Sequence, residues 1–362
     1  MNETEIASYF DFTKKTEQTG VKMNVPTLQA PYSTINNLLY LSYLPKVINA
    51  AVEAQFFEIL SGKPRSFDDI SQKAGTKKPV TKAILGVLEK IGLISTTDDT
   101  CSLTPLASDY LVAGSEANQL AAIGKFSGSS GPFDNLAGAL KGEASRFDEK
   151  MWSSKEACMN MEQGMKAGGL QNVLAFIKAL PEFFRCTKMC DFAGNIGYYS
   201  YVFLQENPNL ESHVYDLPAV CENARELKQN EPDFDRVTYH GIDIKKGDSF
   251  GDGYDFFYTS HFLYEYGANG SLVDFLKRVN AAMKPGGLLV SNHVCDKACD
   301  RESEIILALI ELQTRVMGYP THALPEQTLK QALTEAGFDN FTTQLPDENN
   351  AFPTLLLAAR KS

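Results

Sequence analysis

From Leu44 the apolar positions of the chain fall on a helical period. Val47, Ala50, Ala51, Ala54, Phe57 and Leu60 recur at three- and four-residue spacing and so share one helical face. Ser66-Phe-Asp-Asp69 sets a hydroxyl N-cap three residues before an acid, which predicts a short helix stopping near Gly75. Pro79 suits a first helical turn, and Ala83, Ile84, Val87, Leu88 and Ile91 carry the apolar stripe to Gly92. Leu93-Ile94-Ser95, a Thr-Thr-Asp-Asp turn and the segment from Cys101 then predict a small hairpin. Three helices closed by a hairpin make a winged-helix outline. Ahead of it, residues 1 to about 30 are polar and mixed and read as an arm or short helix.

Beyond residue 112 the period weakens. Residues 113–150 are rich in Gly and Ser and read as a connector, and a helical stretch from about Glu156 to Leu180 ends at Pro181. Short apolar runs then alternate with helical segments, the pattern of a parallel α/β sheet. Lys188–Phe192 reads as a buried strand, followed by the small-residue turn Ala193-Gly-Asn-Ile-Gly197 and a helix start at Tyr198. Strands at Ser212–Asp216, Val237–Ile242 and Tyr254–Tyr258 follow, and Lys284-Pro-Gly-Gly287 joins a helix to a fifth strand ending near Val290. Leu324 to Phe338 reads as a helix running into a strand, and segments from Phe341 and Phe352 as a terminal hairpin. The division expected is 1–112, 113–180 and 181–362.

Composition narrows the partners. Of 362 residues, 43% are hydrophobic and 22% charged, which excludes wholesale disorder. The net charge of −11 argues against broad binding to a phosphate backbone or an anionic membrane. A DNA-reading role for the winged-helix outline fares no better, because residues 79–91 carry only Lys82 and Lys90 beside Glu89 and no Arg. No apolar run is long enough to span a bilayer, the opening lacks a secretory pattern, and seven cysteines make no disulfide framework. A cytoplasmic protein without nucleic-acid or membrane partners is expected.

The chemistry concentrates at strand ends. Asp191, Asp216 and Asp243 close or directly follow three successive strands, at the edge where open α/β sheets bind ligands. A strand, a glycine turn and a helix N-terminus let a ligand approach the backbone, and an acid at the end of the next strand can accept both ribose hydroxyls of a nucleoside. Taken with Tyr215-Asp-Leu-Pro-Ala-Val220, Leu263-Tyr-Glu-Tyr266 and Lys284-Pro-Gly-Gly287, these motifs resemble the S-adenosylmethionine-dependent O-methyltransferases, in their dimeric caffeate- and hydroxyneurosporene-type branch. The resemblance runs over nearly the whole chain from about residue 35. It implies a Rossmann-like methyltransferase sheet with an N-terminal all-α winged-helix-like dimerisation domain, S-adenosyl-L-methionine as cofactor, a homodimer and a small-molecule substrate. Asp191, Gly194 and Gly197 would line the methionine part of the cofactor. Asp216 would bind its ribose, Leu217 would pack beside the adenine, and Asp243 and Ile244 would meet the adenine amino group and ring. Ser260 replaces a family lysine near the cofactor, and Met165 is carried over as a substrate contact.

Two departures matter. Where the family turn has three successive glycines, this chain has Ala193, Gly194 and Asn195, and asparagine tolerates positive φ better than most side chains. Where the family places a catalytic histidine, this chain has Tyr264, a poor base at neutral pH. Three readings stand open. His261 is the base, one turn from Tyr264 if that segment is helical; or Tyr264 orients substrate while Glu265 takes the proton; or the acceptor, a thiol or an activated carbon, needs little deprotonation. His293 is expected to end the fifth strand over the same cleft, as a substrate contact or an alternative base. His293-x-Cys295-x3-Cys299 lacks a fourth ligand, so no metal is expected.

Overall fold

The computed structural model describes residues 26–128, 133–142, 150–243, 249–267, 271–319, 321–347 and 352–362. Chain contacts divide it into two compact units at Leu44/Pro45. In the first, Ser33–Leu41 form α1, whose Ile35, Leu38, Leu39 and Leu41 all lie more than half exposed. Most of the predicted polar arm lies outside the described residues.

The helical period from Leu44 gives α2 (Leu44–Glu53) and α3 (Phe56–Leu60) rather than one helix, because Gln55 adopts a left-handed φ of 59° between them. A two-residue strand β1 (Arg65–Ser66) precedes α4 (Phe67–Ala74), and the predicted cap is present: Ser66 Oγ accepts from the Asp69 amide at 3.2 Å. Helix α5 (Lys78–Lys90) leads into the hairpin β2 (Ile94–Thr97) and β3 (Thr100–Leu103). Asp98 and Asp99 turn it with φ of 47° and 62°, as a tight two-residue hairpin requires. Ala51, Phe57, Leu60 and Leu88 of the predicted stripes, with Ile70 and Leu85, form the core of this region.

The chain continues through α6 (Pro105–Leu111), α7 (Leu120–Ser127), α8 (Leu136–Leu140) and α9 (Lys150–Ser153). The predicted helix from Glu156 to Leu180 is two helices, α10 (Lys155–Met165) and α11 (Gly169–Lys178), interrupted where Gly168 takes a φ of 100°. Then come β4 (Lys188–Phe192), α12 (Tyr198–Glu206), β5 (Glu211–Asp216), α13 (Pro218–Lys228), β6 (Val237–Gly241) and β7 (Tyr254–Ser260). The chain closes with α14 (Tyr264–Gly267), α15 (Leu272–Ala282), β8 (Met283–Val294), α16 (Arg301–Val316), α17 (Glu326–Glu335), β9 (Phe338–Gln344) and β10 (Thr354–Lys361).

The large sheet has seven strands in the order β6-β5-β4-β7-β8-β10-β9. The first five are parallel, and β10 and β9 form the expected antiparallel end. Strand order reverses between β4 and β7, the place at which open α/β sheets bind ligands beyond the carboxyl ends of their strands. Alternation along each strand sends side chains to two cores. Met189, Val214, Phe256, Tyr258, Leu288 and Val290 pack beneath α10–α13, while Cys190, Phe192, Tyr215, Phe257 and Leu289 pack against α15 and α17. The Lys-Pro-Gly-Gly segment lies within β8 as an irregularity, since Tyr254 pairs with Met283 and Phe256 with Leu288.

Candidate functional site

Alternation decides which strand-end residues meet. Asp191, Asp216, Ser260 and Asn292 share the parity of the α10–α13 face at the ends of β4, β5, β7 and β8. Four adjacent strands thus deliver four polar side chains to one edge. Asn292 was not singled out from sequence; its Nδ2 donates to Ser260 Oγ at 3.1 Å, and its buried Oδ1 finds no hydrogen-bond partner among the described residues. The buried Tyr258 hydroxyl on the same face also finds no hydrogen-bond partner among the described residues.

The turn after β4 is shaped by its acids. The Asn195 and Leu217 amides donate to the two Asp216 oxygens at 2.8 and 2.7 Å, clamping the turn to the end of β5. Ala193 and Asn195 take φ of 56° and 53°, and Gly197 takes 76° as it starts α12. Gly194 admits no side chain, because a Cβ there would lie 2.6 Å from the Asp191 carboxyl carbon. Gly241 holds a second close approach, its Cβ position being 2.8 Å from the Pro218 backbone, so the Asp-Leu-Pro corner rests on the end of β6. Leu217 is half-buried against the core, Asp243 is half-buried after β6, and Ile244 lies outside the described residues.

Asp191 is 1% exposed and accepts from Ser200 Oγ at 2.6 Å, and Ser212 in turn donates to Ser200. Burial pushes its carboxyl up to about 7, against the Ser200 hydrogen bond and helped by nearby Asp216. Burial likewise pushes Asp216 up to about 6, opposed by its two amide donors. A carboxyl raised in the fold contributes stability that is complete below its unfolded value and lost as pH rises through the folded one. Asp191→Asn, neutral at every pH, is therefore expected to gain on wild type in Tm as pH rises from about 4 to about 7 and to keep a constant advantage above that. Parallel Tm curves for the two proteins between pH 4.5 and 8 would refute the assignment.

Beyond β7 the histidine expectation changes. His261 is not a helical turn from Tyr264: it sits outside α14 with a φ of 51°, its amide donating to Asn292 O at 2.6 Å. Burial, then neighbouring His322, lowers its imidazole to about 4, so it is neutral at pH 7. His293 lies on β8 with the opposite parity to Asn292, pairs with Leu355 and is 1% exposed. Burial lowers it to about 3, with His261 adding to the effect. Tyr264 is buried, and its hydroxyl is raised by that burial. Glu265 follows it on α14, and Met165 packs half-buried against the core beneath α10–α13. No group of three or more metal-ligating side chains occurs among the described residues.

Sequence reasoning passed over His322, whose ring stacks on Tyr264 at 4.4 Å and 19°. The available signal was scarcity: the chain has five histidines, and His322 lies near enough to His261 and His293 to help lower both. His322 also walls a cavity of about 340 Å³, otherwise mainly apolar, with Val294, Leu307, Ile310, Glu311 and Ala323.

Comparison with known proteins agrees with this architecture. The O-methyltransferase domain family matches residues 131–339, and the O-methyltransferase dimerisation domain matches residues 36–113. An uncharacterised protein of Methanocaldococcus jannaschii is 30% identical over 161 residues, which span 44% of this chain and 41% of that protein. The mitomycin biosynthesis 6-O-methyltransferase of Streptomyces lavendulae is 24% identical, over 78% of this chain and 83% of its own. Acetylserotonin O-methyltransferase of Rattus norvegicus is 22% identical, over 88% and 76%. Among solved structures, human N-acetylserotonin methyltransferase in complex with SAM superposes with a TM-score of 0.69 at 19% identity, covering 94% of this chain and all of that one. That likeness is one of fold. No helix among the described residues is long and apolar enough to cross a membrane.

Proposed function

The chain belongs to the O-methyltransferase family, and from that premise we propose that it transfers a methyl group from S-adenosyl-L-methionine to a hydroxyl of a small molecule, working as a homodimer in the cytoplasm. The observation that carries the reading is the edge where Asp191, Asp216, Ser260 and Asn292 meet beside a turn that excludes a side chain at Gly194.

The residues present fit the cofactor. Each Asp216 oxygen accepts one amide and keeps a further lone pair, enough to take two ribose hydroxyls. The bare backbone at Gly194 and the N-terminus of α12 suit the amino-acid end. Asp191 and Gly197 would support that end, Leu217 would flank the adenine, and Asp243 and Ile244 are the proposed adenine contacts. When bound, the cofactor supplies an already activated methyl group, so the protein has to align an acceptor, exclude water and accept a proton. The cavity walled by His322 is the proposed acceptor chamber, and Met165, His261, Tyr264, Glu265 and His293 are the residues proposed for substrate contact and catalysis. Oxygen is the proposed acceptor atom because both named relatives are O-methyltransferases.

The dimerisation-domain match supports a homodimer. Free thiols at all seven cysteines, six of them buried, suit a reducing compartment. Calorimetric titration is expected to give micromolar binding of S-adenosylmethionine and of S-adenosylhomocysteine. No heat of binding up to millimolar ligand would refute the cofactor reading. Transfer of labelled methyl to a panel of hydroxylated aromatics tests the acceptor class.

A further inference from the structure

His322 is held as a base is held. Thr314 on α16 is 3% exposed, and its hydroxyl donates its one proton to the Ile310 carbonyl at 2.8 Å. The same oxygen lies 3.2 Å from His322 Nδ1, so there it can only accept. The neutral ring therefore carries its proton on Nδ1 and keeps its lone pair on Nε2. One turn earlier on α16, Glu311 Oε2 accepts from the His322 amide at 3.2 Å and from Thr321 Oγ1 at 3.4 Å. Two side chains at i and i+3 thus grip both backbone and ring of the loop. The third constraint is Tyr264, stacked on the ring face, with Tyr319 edge-on to Tyr264 at 6.0 Å. Burial lowers the imidazole against the pull of Glu311, which favours the neutral ring at pH 7.

We propose that His322 is the general base of the transfer, with Nε2 as the accepting atom, Thr314 as the residue that positions its tautomer, and Tyr264 as its stacking support. The inference rests on the methyltransferase reading. The acceptor's hydroxyl proton moves to Nε2 and the ring becomes imidazolium. The acceptor oxygen uses its freed pair to bond the methyl carbon, whose former bonding pair stays on the cofactor's sulfur. The imidazolium then returns its proton to solvent. Tyrosine at the position of the family's histidine is thereby explained: the base has moved to the facing loop, and an aromatic ring supports it.

The test begins without substrate. In protein labelled with 15N-histidine, correlation spectra at pH 7 are expected to show His322, assigned by its loss in His322→Gln, as the Nδ1–H tautomer. Thr314→Val should release it toward Nε2–H, and Thr314→Ser should keep it. An Nε2–H ring in wild type, or a tautomer indifferent to Thr314→Val, would overturn the proposal. His261, His293, Glu311, Asp296, Tyr264 and Tyr319 surround the ring, so its titration is followed on its own resonance rather than on bulk activity. With a hydroxylated aromatic that wild type methylates, His322→Gln is expected to lower kcat by about 10²–10⁴-fold and to leave S-adenosylhomocysteine affinity within threefold. Wild-type kcat in His322→Gln would also overturn it. If wild type binds cofactor but methylates none of the panel, the acceptor reading fails, and the tautomer result still decides the proposal on His322.

Discussion

Replacing Asp216 by alanine is expected to weaken S-adenosylhomocysteine binding at least about 100-fold, since hydrogen bonds to a charged partner contribute about 1.5–3 kcal/mol each and two ribose hydroxyls would be lost. The carboxylate also serves the fold. Its two oxygens accept the Asn195 and Leu217 amides, so truncation leaves two half-buried donors unsatisfied and frees the turn after β4 from the end of β5. A fall in stability of about 1–3 kcal/mol should accompany the loss of binding, the usual cost of unmade buried hydrogen bonds. Asp216→Asn separates the two effects. Its carbonyl can keep one amide while its NH₂ faces the other, so it should recover part of the stability and little of the affinity. Calorimetric titration and urea unfolding on the three proteins provide the comparison. Affinity within fivefold of wild type in Asp216→Ala would remove this residue from the ribose site.

That residue also shows how much of the site was legible in sequence. A carboxylate closing the strand after a glycine turn has a local signature, and its neighbours follow from strand parity once the strands are placed. Asp191 and Asp216 were read in this way, Ser260 came from the family resemblance, and the seven-strand sheet followed from the alternation of apolar runs with helical segments and a terminal hairpin. What stayed hidden depends on long-range pairing. Asn292 meets Ser260 across 32 positions because β8 pairs with β7 in a register set by the irregularity at the Lys-Pro-Gly-Gly segment. His293 was expected over the cleft from its place at a strand end; one residue of register turns it to the opposite face. His322 lies in a loop with no periodicity, 58 positions after Tyr264, and only the fold stacks the two rings. Helix breaks at Gln55 and Gly168 escaped for a related reason, since a left-handed residue interrupts a helix without interrupting its apolar period.

Gly194→Ala carries the other large expected effect, and its cause differs from that of Asp216. A methyl group at Gly194 would sit 2.6 Å from the Asp191 carboxyl carbon and 2.8 Å from both of its oxygens. A flexible surface side chain would swing aside, but Asp191 is buried on a central strand and tied to Ser200, which is tied to Ser212. Moving the carboxyl breaks that chain, and moving the turn instead pulls the Asn195 amide from Asp216. Either relaxation costs about 1–3 kcal/mol, the range for overpacking a filled interior, and both displace groups proposed to face the cofactor. Cofactor affinity should fall at least about 30-fold, equivalent to roughly 2 kcal/mol. Gly197→Ala provides the contrast. Its φ of 76° strains any side chain, but its nearest contact is a methyl of Val214 at 3.1 Å, farther from the acids. It should lose about 1 kcal/mol of stability, the usual penalty for a left-handed alanine, with a smaller loss of affinity. If Gly194→Ala binds S-adenosylhomocysteine as tightly as Gly197→Ala, the close approach at Asp191 does not shape the cofactor site.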